Sequence, residues 1–117
     1  MLKNDFMDVE LIKGTLSLLI LSLLSRKAMY GYEIASTVKA ETDGAFEWKA
    51  GSLYPRLHKH EKESLVKAEW QGEPGSRRRK YYHITESGKA ALTEKSNAWV
   101  SVCQAVNRVL ENSDETD

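Results

Sequence analysis

The chain has 117 residues, 41% of them apolar and 29% charged, with seventeen basic and seventeen acidic side chains. That length fits one domain with a modest core, and its longest apolar stretch, Gly14 to Leu24, is far short of the ~20 residues a membrane span needs. Acidic Asp5, Asp8 and Glu10 before that stretch argue against an export signal, and the single cysteine, Cys103, excludes an internal disulfide framework, so the expected location is cytoplasmic with no membrane partner.

Residues 1 to 8 lack periodicity and read as a loose arm. Glu10 to Ser25 is dense in leucine and predicts a well-buried helix, ended by Arg26 and Lys27, which suit a helix C-terminus. Tyr30-Gly31-Tyr32 reads as a turn. Glu33 to Glu41 predicts a short helix with Ile34, Ala35 and Val38 on one face, broken by Asp43-Gly44. A third helix is expected over Ser52 to Glu63, capped by Ser52, with Pro55 in its first turn and Leu53 and Leu57 on its inner face. Leu65 to Gln71 and Arg79 to Ile84 predict two strands, and the turn cluster Gly72-Glu73-Pro74-Gly75-Ser76 joins them into a hairpin. Thr85 is placed to cap a last helix running to about Asn112, and the polar tail beyond it reads as disordered.

Three helices and a hairpin make a winged helix-turn-helix pattern, mainly α with a small β-hairpin. The expected division is residues 1–84 as a DNA-binding region, 85–112 as a long C-terminal helix for dimerisation, and 113–117 as tail.

The net charge of zero hides a strong asymmetry. From Lys49 to Lys80 there are nine basic and four acidic residues, so this segment is +5 and the remainder is −5. Binding to a polyanion follows the local field, not the sum over the chain. On the third helix, Ser52, Tyr54, Arg56, His58, Lys59 and Lys62 are left largely outward once Leu53 and Leu57 turn in, with Lys49 just ahead of them. Such a face suits the major groove, where Ser, Arg and His bond base edges and Tyr54 bonds a phosphate; a merely solvated helix face would look the same. The wing separates the two. Arg77, Arg78, Arg79 and Lys80 stand beside a Gly/Pro turn, where they repel one another and fit phosphates or a narrow minor groove. Lys80 reads partly as strand support, so Arg77 and Arg78 are the stronger candidates. The competing reading is a winged-helix module for protein contact, its cations meeting an acidic partner.

On the last helix, Leu92, Trp99 and Val106 are seven apart, and Trp99, Val102, Val106 and Val109 form a 3-4-3 stripe, as in a two-helix seam. A second copy would cover that stripe and give a homodimer; the alternative is packing on the first helix of the same chain, and the two are compatible on different faces. Trp99 either fills the seam or lines a pocket between subunits that takes a flat aromatic ligand. His58, His60 and His83 lack metal-ligand spacing, so neither a metal nor a cofactor is expected. No nucleophile–base pair, paired acids or phosphate-cradling glycine loop stands out, so no enzyme is expected.

The segments Tyr30-Gly31-Tyr32-Glu33-Ile34, Gly51-Ser52-Leu53-Tyr54-Pro55-Arg56-Leu57, Glu61-Lys62-Glu63-Ser64-Leu65-Val66 and Arg77 through Thr85 together resemble the PadR family of bacterial transcriptional regulators, in its short form with one C-terminal helix, over about residues 9 to 110. The resemblance implies a homodimer whose final helices pair with the partner's N-terminal helix and which represses a nearby operon, often for a transporter or detoxification enzyme, and sometimes its own gene; the expected partner is a pseudo-palindromic operator in double-stranded DNA. It also implies release by a small aromatic or phenolic effector in some members, with Trp99 where a drug-responsive branch carries a pore-lining tryptophan. Two positions depart from the family pattern: His60 stands at a usually apolar position, where it is expected to be only partly buried, and Ser64 stands at a usual glycine, where left-handed backbone is expected.

Overall fold

The computed structural model describes residues 14–113. In chain order the elements are α1 (Leu16–Leu24), β1 (Met29–Tyr30), α2 (Gly31–Glu41), α3 (Ala50–Lys62), β2 (Val66–Gln71), β3 (Arg79–Ile84) and α4 (Glu86–Ser113). The expected arm at residues 1–8, the start of the first helix before residue 14 and the tail from residue 114 lie outside the described residues.

Leucine density makes α1 the spine of the core. Leu16, Ile20, Leu21, Leu23 and Leu24 are all buried, and Ile34, Val38, Leu53, Leu57, Val66 and Tyr82 close around them. The wing is a three-stranded antiparallel sheet of order β1-β3-β2. Val66 pairs with Ile84 at its base and Gln71 with Arg79 near its tip.

Tyr30-Gly31-Tyr32 is not a turn. Met29 and Tyr30 pair with Tyr82 and Tyr81 of β3, and helix begins directly at Gly31. The reason is packing: Met29 is buried, Tyr30 meets Tyr81 edge to face at 5.4 Å, and a Cβ on Gly31 would overlap the Tyr54 ring. The bare glycine thus lets α2 and α3 cross closely, forming the helix-turn-helix.

The start of α3 also differs from expectation. Lys49 is the N-cap, in extended backbone, and its carbonyl accepts from the N–H groups of Ser52 and Leu53, both at 2.9 Å. Ser52 is therefore a first-turn residue and not the cap, and Pro55 falls in the second turn. The missing N–H of Pro55 removes the helical partner of the carbonyl of Gly51, an exposed residue.

At its far end α3 stops at Ser64, whose φ is 63°. This is the left-handed backbone expected there. Thr85 ties that end to the start of α4: its hydroxyl donates to the Ser64 carbonyl at 2.7 Å and accepts from the Gly88 N–H at 3.0 Å. Gly88 is buried, and a Cβ on it would overlap the carbonyl oxygen of Leu65. The ends of α3 and β3 and the start of β2 therefore meet the first turn of α4 without a gap.

His60 is not half-buried but 2% exposed. Its Nδ1 lies 3.1 Å from Glu63 Oε1, and its Nε2 meets no partner among the described residues. Burial pulls its pKa below the ordinary histidine value, reinforced by Arg56 and Lys95 and opposed by Glu63.

Candidate nucleic-acid interface

The inner face of α3 carries Leu53, Leu57 and His60. At about 100° per residue, Ser52, Pro55, His58, Lys59 and Lys62 take the opposite, exposed face. No acidic residue stands in the first turn of α3, and a lysine caps it. Lys49 adds its charge to the positive end of the helix dipole, an arrangement that is unfavourable alone and favourable against an anion.

Tyr54 and Arg56 lie on the two edges of the helix and not on its outward face. The Tyr54 ring covers Gly31. The Arg56 guanidinium turns back to α1 and donates to Ser17 Oγ at 3.0 Å. Of the α3 residues expected to face outward, these two are bound to the scaffold of their own chain.

Strand alternation separates the wing cations that the sequence presents as one run. Lys80 lies opposite Trp70, 5.6 Å from the Tyr82 ring and 3.7 Å from Glu61 of α3, so it supports the strand. Arg79 leaves by the other face and lies 4.5 Å from the Tyr30 ring centre. Arg78 lies 6.0 Å from the Trp70 ring centre, and Arg77 is exposed at the tip.

Between the wing and α3 runs an open groove of about 600 Å³, bordered by Tyr54, His58, Arg77, Arg78, Arg79 and Lys80. Tyr30, Tyr32 and Trp70 line it as well, and none of these three was expected in the DNA-binding surface from the sequence. Their signal was the position of aromatic residues beside the arginines across a hairpin. Tyr32 is 71% exposed at the start of α2 and Trp70 57% exposed on β2. Lys49, Ser52, Lys59 and Lys62 extend the exposed surface along α3 beyond the groove.

The α4 helix has a different character. Only Gly88 in its 28 residues is buried. Leu92, expected on the partner-facing stripe, instead packs against the core of its own chain. Beyond it Trp99, Val102, Val106, Val109 and Leu110 are all exposed, Trp99 at 47% and Val109 at 66%. Trp99 and Val102 border a second groove, of about 350 Å³, with Ser17, Leu18, Arg56 and Lys95. Cys103 is a free thiol. Among the described residues no His/Cys/Asp/Glu cluster is placed to hold a metal ion, and no helix is long and apolar enough to cross a membrane.

A helix-turn-helix followed by a basic wing, with the second helix exposing a polar face, defines the winged helix-turn-helix transcriptional regulators. The comparisons narrow the class. Residues 20–94 match the transcriptional regulator PadR-like family, and the chain belongs to that family. It is similar to the solved structure of a PadR family transcriptional regulator from Eggerthella lenta, with 36% identity, 88% of each chain covered and a TM-score of 0.77. It is similar also to a transcriptional regulator from Clostridium thermocellum, with 30% identity over 87% of this chain and 96% of that one and a TM-score of 0.81. An uncharacterised protein of Lysinibacillus sphaericus is 33% identical over 102 residues, covering 87% of this chain and 94% of its own. The protein is thus a DNA-binding transcriptional regulator and not an enzyme.

Proposed function

We propose that the protein is a homodimeric repressor that binds a pseudo-palindromic operator near the operon it controls, that operon encoding a transporter or a detoxification enzyme. The observation that carries this reading is the pairing of two incomplete surfaces on one chain. The wing–α3 groove gathers cations with no polyanion of its own to meet, and the outer half of α4 exposes an apolar stripe that its own core does not reach. A second copy covers the stripe. The same pairing sets two α3 helices toward successive major grooves, roughly 34 Å apart, and a dimer lying over a promoter excludes polymerase. Lys49, Ser52, His58, Lys59 and Lys62 face the major groove, with Arg77 and Arg78 on the flanking backbone or minor groove. Trp99, beside the second groove, is the residue against which a small aromatic effector would stack.

The test is fluorescence anisotropy near physiological salt, with DNA from upstream of the protein's own gene against a scrambled duplex of equal length. A clear preference for the upstream duplex is expected, and Arg77→Ala with Arg78→Ala should weaken it about tenfold or more while flattening the salt dependence. Equal, weak binding to both duplexes, unchanged by those substitutions, would count against operator recognition by this face.

A further inference from the structure

The two arginine–aromatic pairs of the wing are built differently. The ring under Arg79 belongs to Tyr30, which is itself braced edge-on by Tyr81. The ring near Arg78 belongs to Trp70, which stands on β2 with more than half of its surface exposed. A tryptophan in that position is not needed by the core. It shares its face of the hairpin with Lys80, directly opposite. One pair further toward the tip on the same face, Arg78 comes opposite Gly72.

Gly72 makes that approach possible. Its φ is 136°, and a Cβ on it would meet the Arg77 carbonyl oxygen at 2.8 Å and the Arg78 Cα at 3.0 Å. The hairpin closes tightly there and brings the Arg78 guanidinium to 6.0 Å from the centre of the indole, at the outer reach of a cation–π contact. No carboxylate pairs with Arg78 among the described residues, whereas Lys80, its neighbour on the same face, is drawn to Glu61. A guanidinium held against an aromatic ring loses rotamer freedom but keeps the N–H groups at the edge of its plane available.

We propose that Trp70 is a positioning residue for DNA binding: it holds the Arg78 guanidinium at the mouth of the wing–α3 groove, with the N–H edge turned out to a phosphate. Arg78 then meets DNA with its side chain already ordered, and the cost of ordering a long side chain on binding is reduced. This inference rests on the reading of the wing as a DNA contact, and Trp70 acts only through Arg78.

The test measures operator binding by the full-length protein over a range of salt, for Trp70→Ala, Trp70→Leu, Trp70→Phe, Arg78→Ala and the Trp70→Ala/Arg78→Ala double variant. Arg78→Ala should weaken binding about tenfold and lower the salt slope by about one. Trp70→Ala should weaken it about fivefold. Trp70→Leu, which keeps apolar bulk but has no ring, should behave like Trp70→Ala, and Trp70→Phe should stay within about twofold of the parent. The double variant should bind no worse than Arg78→Ala alone. Losses that add in the double variant would show Trp70 acting on DNA independently and overturn the proposal. So would parental affinity in Trp70→Leu. If Arg78→Ala itself binds normally, the wing reading fails and the role of Trp70 falls with it.

Discussion

The body of the molecule and the outer half of α4 solve opposite problems. From Leu16 to Ile84 the chain buries its own apolar side chains around α1, and its exposed chemistry is cationic and aromatic. From Trp99 onward α4 exposes valines, a tryptophan and a leucine, and buries almost nothing. The body, closed by Ala91 and Leu92 at the start of α4, buries its core and leaves a cationic surface outside. The outer half of α4 is incomplete as a fold. One chain therefore carries two unsatisfied faces, of different chemistry, at separate places.

Four substitutions break or sharpen that contrast. The largest effect is expected from Val106→Glu, which places a charge in the middle of the exposed stripe. Light scattering at micromolar concentration should then give the mass of one chain, and operator affinity should fall about a hundredfold or more as two linked half-site contacts become one. A dimeric mass in this variant would move the seam elsewhere. Gly88→Ala comes next, because its Cβ has no room against the Leu65 carbonyl. Overpacking should cost about 2–3 kcal/mol, lowering the melting temperature by roughly 10 °C or more. An unchanged melting temperature would show that the junction between α4 and the wing yields easily.

His60→Leu tests the body from inside. Because burial lowers the folded pKa of His60, the unfolded chain takes up the proton first as pH falls. The stabilisation is thus fully present above the unfolded value of about 6.5 and is lost as pH drops through the lower folded value. Leucine should leave stability at pH 7.5 equal or higher and flatten its fall between pH 7 and pH 5, measured by urea unfolding. An equally steep fall in the variant would put the acid sensitivity elsewhere. The smallest effect belongs to Ser64→Gly. With φ at 63°, glycine should raise stability by up to ~1 kcal/mol, and a melting curve without a rise would show that serine bears no strain there.

How far the sequence carried these conclusions depended on the range of the forces involved. Arg79–Ile84 was legible as a strand because alternation and the turn before it are local signals, and the Thr85 cap was legible for the same reason. Strand β1 was not: two residues carry no period, and their pairing with Tyr81 and Tyr82 is made far along the chain. Ser52 resembled a cap, but the cap is Lys49, in extended backbone just after Phe46 and Trp48, which pack against the core. Arg56 looked outward by helix spacing and is turned inward by Ser17, thirty-nine residues away. Leu92 fitted the heptad and belongs to the chain's own core, because α4 changes its duty along its length. The basic run at residues 77–80 was plain as composition, yet only the register of β2 against β3 reveals that its members leave by different faces.

The contact of Thr85 and Gly88 with Ser64 and Leu65 has a mechanical consequence. A helix of 28 residues is about 42 Å long, and this one is gripped at its first turn by the ends of the recognition helix and the wing. In the proposed dimer it would act as a lever whose fulcrum is that grip. A tilt of about 5° at the junction carries the far end of such a helix through roughly 3.7 Å. In the proposed dimer the reverse also holds: whatever is wedged between two such helices near Trp99 changes the angle at the grip, and so the distance between the two recognition helices. In that proposed dimer, the close contact at one small glycine-lined joint would let an event near Trp99 alter how the protein spans DNA.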